Sequence, residues 1–141
     1  MIKYNKNISN IWKVDLEESF QRVFTVEDIE NFSNLSKDKS PIHIYPKEAK
    51  KRKFNDVVVH GCLINSGFSY LIGMRIPGKN ALLLSLNTKF HNPLYPNEIV
   101  NFSAKIDSIH DSVNCINLKL IATKVNDLKI CSGKALVKVF L

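Results

Sequence analysis

Residues 57–74 constrain the fold more than any other stretch, because Val58, Val59, Leu63, Ile64, Phe68, Leu71 and Ile72 leave them apolar on most sides, with Gly67 and Gly73 as the interruptions. The run is too long for an ordinary strand, so it predicts a helix buried all round. Such a helix must be enclosed by a second layer, and the chain after it supplies one. Four strand-like stretches follow, at 81–90, 98–109, 113–125 and 128–141. In the second, Val100, Phe102, Ala104 and Ile106 alternate with polar residues; Ile116, Leu118, Leu120 and Ala122 do so in the third, and Ala135, Val137 and Val139 in the last. Asp111-Ser112 and Asn126-Asp127 supply tight turns between them.

Upstream, residues 18–24 alternate as a strand, and Thr25-Val26-Glu27-Asp28 offers a helix N-cap with acids in the first turn. Val26, Ile29, Phe32 and Leu35 then recur at helical spacing, and Pro46 opens a short basic helical turn ending near Lys53. The order is therefore strand, helix, loop, buried helix and antiparallel meander. A sheet with one apolar face and a long apolar helix satisfy each other when the sheet wraps around the helix. This predicts an α+β chain with a single hot-dog fold, spanning 1–141 as one domain, a length that buries a full core.

The composition narrows the class of function. Met1 to Asn7 carry no apolar leader core and no stretch approaches the roughly 20 apolar residues of a membrane span, so no membrane is expected and the cytoplasm is the expected location. Cys62, Cys115 and Cys131 are odd in number and lack C-x-x-C spacing, which argues against a disulfide framework or a zinc site and reads as buried or inert thiols. A net charge of +7 raises the question of an anionic partner. Its densest source, Lys47, Lys50, Lys51, Arg52 and Lys53, is either a solvated helix face or a landing patch for phosphates or an acidic carrier protein. No nucleic acid is expected, because aromatic residues are not interleaved with these cations.

One segment is hard to explain as packing material. Asp38-Lys39-Ser40-Pro41-Ile42-His43 sets a carboxylate and an imidazole five residues apart, and Pro41 between them forbids a continuous helix. Taken singly, Asp38 reads as an Asx-type loop cap and His43 as a core histidine; together with Pro41 and the downstream Gly61 they read as an acid/base pair. His60, His91 and His110 read as structural or surface residues.

These residues resemble the MaoC-like, (R)-specific enoyl-CoA hydratase family, whose signature runs aromatic, spacer, aliphatic, small, Gly-Asp-x-Asn-Pro-aliphatic-His, and then a small residue six further on. Phe32, Leu35, Ser36, Asp38, Pro41, Ile42, His43 and Ala49 stand in that spacing. Val58-Val59-His60-Gly61 resembles the family's opening of its central helix, Ser69 falls where the family has a pocket serine, and Lys89 to Leu94 resemble its later strand and turn. Lys37 takes the place of the motif glycine, Ser40 that of its asparagine, and Asn97-Glu98 that of a frequent Gly-Asp.

The resemblance implies reversible hydration of a trans-2-enoyl thioester to an (R)-3-hydroxyacyl thioester, carried by CoA or by an acyl-carrier protein. It implies a water held by Asp38 and His43, with Asp38 taking its proton and delivering a proton to Cα. The Gly61 N–H, at the positive end of the central helix, would meet the thioester oxygen. Ser69 would face the acyl group or hydrogen-bond within the pocket, and Ser40 and Pro41 would support the motif loop. The implied assembly is a homodimer with the acyl tunnel near the interface; no metal and no cofactor is implied. A thioesterase of the same fold is disfavoured, since no Asp or Glu lies between residues 57 and 97. A non-catalytic acyl-thioester binding subunit is the runner-up.

Overall fold

The structure, a computed structural model, describes residues 6–141, so residues 1–5 of the segment read for a leader lie outside it. Five strands form one antiparallel sheet: β1 (Glu17–Val23), β2 (Ala81–Phe90), β3 (Ile99–His110), β4 (Cys115–Lys124) and β5 (Lys129–Val139). Their order is β1-β3-β4-β5-β2. The expected meander is therefore confined to β3, β4 and β5. β2 does not pair with β3, whose outer side is taken by β1, and instead joins the free side of β5. The strands that precede and follow the central helix in sequence thus sit at opposite edges of the sheet.

The alternation read from the sequence is the alternation of faces. Val100, Phe102, Ala104 and Ile106 on β3, Ile116, Leu118, Leu120 and Ala122 on β4, and Ala135, Val137 and Val139 on β5 are all buried. Register shifts in β2, β3 and β5, at Leu84, Asp107 and Ile130, mark irregularities that bend strands and help a sheet curl over a helix.

The central helix, α4 (Gly61–Met74), differs from the expectation in two ways. It begins at Gly61, because Val57 to His60 run extended: the Val58 N–H donates to the Ile42 carbonyl at 3.0 Å and the Val59 N–H to the Leu94 carbonyl at 2.8 Å. Three successive β-branched valines favour that conformation over helix. Nor is α4 buried all round. Leu63, Ile64, Gly67, Phe68, Leu71 and Ile72 form the stripe facing the sheet, while Cys62, Ser69, Tyr70 and Met74 are exposed.

Of the three cysteines read as buried or inert, Cys115 and Cys131 are buried, and burial pushes the Cys131 thiol up to about 11, whereas Cys62 is exposed. Helix and sheet pack tightly at Gly67, where a Cβ would lie 2.4 Å from the Phe102 ring. Phe68 and Phe20 pack on the same ring at centroid distances of 5.2 and 5.4 Å.

Three shorter helices lie between β1 and α4. α1 (Val26–Ser36) opens with the expected cap: Thr25 Oγ1 accepts from the Asp28 N–H at 3.1 Å and an Asp28 carboxylate oxygen accepts from the Thr25 N–H at 2.9 Å. α2 (Pro41–Ile44) and α3 (Pro46–Lys51) each begin on a proline in the first turn. Among the described residues, no helix is long and apolar enough to cross a membrane.

Candidate active site

Asp38 is placed by the end of α1. Lys37, standing where the resembled motif has glycine, adopts the left-handed conformation at φ 65° and closes the helix as its C-cap. Lysine thus takes up the backbone geometry that glycine adopts more readily. Local hydrogen bonds then fix the loop: Ser36 Oγ donates to the Phe32 carbonyl at 2.7 Å and accepts from the Asp38 N–H at 3.1 Å, while Asp38 Oδ1 accepts from the Ser40 N–H at 3.1 Å. The Asx-type turn is therefore present, and it occupies only one carboxylate oxygen. Asp38 is exposed in the single chain.

Pro41 does more than bend the chain, since it starts the one-turn helix α2 that carries His43. Ser40 stands at the N-cap of this helix, but its side chain makes no capping hydrogen bond. His43 Nδ1 lies 2.5 Å from the Val58 carbonyl, and a carbonyl only accepts, so Nδ1 carries the proton and donates. In the neutral ring Nε2 is left with its lone pair available.

His60 lies beside both groups. It is 2% exposed, and its ring stacks on that of His43 at 3.8 Å between centroids and 21° between planes. His60 Nε2 is 3.1 Å from the Asp38 main-chain carbonyl and 3.2 Å from Ser33 Oγ. Burial holds its pKa below the usual 6.5, opposed by the hydrogen bond to Asp38. One ligand-type atom from each of Asp38, His43 and His60 lies within 4.8 Å of the others. The sequence separation of these residues conceals the cluster: Ser33 and Asp38 are 27 and 22 positions upstream of His60. The signal in the sequence was the neighbouring Gly61, and it pointed to a donor for the thioester oxygen rather than to a role for His60.

A cleft of about 320 Å³ opens next to His43, lined by Phe54, Val58, Gly61, Ile64 and Phe90 among others. Its walls are mostly apolar, which suits an acyl chain better than a charged one. Gly61 is the first residue of α4, and His60, at the N-cap, makes no side-chain cap. The first-turn N–H groups of a helix have no intrahelical acceptor, so the positive end of α4 faces the cleft uncapped. The absence of a Cβ at Gly61 also has a packing reason, because a Cβ there would lie 2.8 Å from Phe90 Cζ. Ser69 is brought to none of this: it is exposed on α4 and does not line this cleft. His91 lines the cleft and pairs with Ser132 Oγ at 2.7 Å, whereas His110 contacts Ser108 and Asn117 on β3 and β4.

An exposed carboxylate, an imidazole whose Nε2 keeps its lone pair and an uncapped helix start stand close together near an apolar cleft, and the fold around them is that of the hot-dog proteins. The chain belongs to the MaoC-like domain family, whose model matches residues 9–126. It is 30% identical over 118 residues to a mitochondrial 3-hydroxyacyl-[acyl-carrier-protein] dehydratase of Arabidopsis thaliana, covering 81% of this chain and 69% of that one. It is 29% identical over 116 residues to an (R)-specific enoyl-CoA hydratase of Aeromonas caviae, covering 82% and 86%. The solved structure of an (R)-hydratase from A. caviae involved in PHA biosynthesis matches with a TM-score of 0.88 at 25% identity, covering 92% of this chain and 98% of that one.

Proposed function

We propose that the protein is a hydro-lyase that interconverts trans-2-enoyl and (R)-3-hydroxyacyl thioesters. What supports this reading is that His43 and Gly61 line the same apolar cleft and that a carboxylate oxygen of Asp38 lies within 4.8 Å of a ring nitrogen of His43. In the hydration direction the second Asp38 oxygen and His43 Nε2 both accept hydrogen bonds from one water. The water oxygen bonds to C3 of the enoyl group while Asp38 takes a water proton. The electron pair of the double bond moves toward the thioester carbonyl, and Asp38 returns the proton to Cα on the same face. Charge that develops on the thioester oxygen is met by the Gly61 N–H at the start of α4. Water and alkene are consumed and one alcohol is formed, with no metal or redox step required.

A homodimer is part of the same proposal. β2 is an edge strand, and Leu82, Leu83 and Leu84 on it are exposed beside its unpaired edge. A long apolar edge left open invites pairing with another chain, and a second copy is the partner this reading assigns. Light scattering tests it, and a stable monomer at micromolar concentration overturns it.

The reaction is tested by the fall in enoyl-thioester ultraviolet absorbance with crotonyl-CoA, with a longer trans-2-enoyl-CoA, and with the same acyl groups on an acyl-carrier protein. Turnover to the (R)-alcohol that disappears in Asp38→Asn is the expected result. A folded protein that binds these thioesters without turnover is instead a non-catalytic binding subunit.

A further inference from the structure

The two groups assigned to the water sit on different elements, Asp38 on the loop after α1 and His43 on α2, and one side chain touches both. His60 is 2% exposed, its ring lies 3.8 Å from that of His43 and nearly parallel to it, and its Nε2 is 3.1 Å from the Asp38 carbonyl oxygen. Because a carbonyl can only accept, Nε2 must bear the proton. Nδ1 is then a lone pair in the neutral ring, and it is buried with no hydrogen-bond partner among the described residues. A proton added there would place an unpaired charge in the interior, an expensive state. The other groups packed on this ring are Ser33 Oγ at 3.2 Å and the edge of Phe32 at 4.8 Å, so Asp38 and His43 are the only titratable neighbours among these contacts.

We propose that His60 is a positioning residue: as a neutral Nε2–H tautomer it tethers Asp38 by its main-chain carbonyl and braces the face of His43, fixing the distance between the two groups that hold the water. The inference rests on the hydratase reading of the site. A structural role alone would need neither the tautomer nor contact with both partners. An ångström of misplacement between acid/base groups costs on the order of 100-fold in rate.

Two variants separate the contacts. His60→Phe keeps a flat ring against His43 and loses the donor; His60→Gln keeps a donor near the Nε2 position and loses the ring. With thermal melts confirming that both fold, hydration of crotonyl-CoA is measured across pH. Separately, imidazole ¹⁵N shifts of the wild type report the His60 tautomer. The expected result is a kcat about 100-fold lower in His60→Phe with KM little changed, a recovery of about 10-fold in His60→Gln, and an Nε2–H ring that takes up a second proton only below the ordinary imidazole value of 6.5. Equal losses in the two variants, a loss confined to KM, or an Nδ1–H tautomer overturns the role. If the wild type turns over and His60→Phe matches it, the role alone fails. A wild type inactive on every enoyl thioester overturns the hydratase reading and the role with it.

Discussion

The loop that carries Asp38 and the segment that carries His60 and Gly61 meet at one cleft, yet they are held in different ways. The first is exposed and, apart from the His60 contact to the Asp38 carbonyl, fixed by neighbours in sequence: Ser36, Asp38 and Ser40 bond one another within a few residues, and Lys37 supplies the left-handed step. The second is buried and fixed from a distance, by Ile42 and Leu94 accepting from Val58 and Val59, by Ser33 against His60, and by Phe90 against Gly61. The comparison teaches that the Asp38 carboxylate can be altered without disturbing the core, whereas the buried framework beside it cannot.

The sharpest way to test that division is Asp38→Asn. An amide keeps the bond from the Ser40 N–H but cannot accept the water proton, so turnover of crotonyl-CoA is expected to fall by roughly 10²–10⁴. Because the side chain is exposed, the melting temperature should hardly move. A large drop in melting temperature would show that the loop is not independent.

Gly61→Ala strikes the other half. The new Cβ needs the space of the Phe90 ring end, which is movable because Phe90 is 46% exposed. The expected outcome is about 1 kcal/mol of lost stability by denaturant titration and a loss of activity larger than that on its own predicts, as the ring swings into the cleft. Unchanged kinetics would remove Gly61 from the site.

Acid should also distinguish the halves. His60 has its folded pKa depressed below 6.5 by burial, so the unfolded chain binds more protons between the two values. The stability contributed by neutral His60 is complete above the unfolded value and is lost as pH falls through the folded one. His60→Phe should flatten this acid limb in melts run from neutral to mildly acidic pH, and Asp38→Asn should leave it in place.

The smallest effect is expected at the loop's strained step. Lys37→Gly relieves a left-handed lysine, worth about 1 kcal/mol, but gives part of that back through the freer unfolded chain. A net gain of about 0.5 kcal/mol is expected, with activity retained. A destabilised Lys37→Gly would mean that the lysine side chain itself holds the loop.

Much of this was legible in the chain. The cap at Thr25, the proline opening α3 and the alternation on β3, β4 and β5 are local or periodic, and each appears as read. Pro41 was read only as a bend, and it opens α2. The spacing from Asp38 to His43 is also local, and it singles out the two residues on which the proposed mechanism rests. The start of α4 was misplaced because apolar content does not distinguish a buried helix from the extended valines that lead into it.

By itself, then, the sequence determined the elements, their apolar faces and the family, since propensity and periodicity act over a few residues. Only the tertiary structure decided that β2 crosses to the far edge, that Ser69 faces away from the cleft and that His60 joins Asp38 to His43. Those outcomes depend on which surfaces meet when the sheet closes over α4, and surfaces that meet across the fold need share no spacing along the chain.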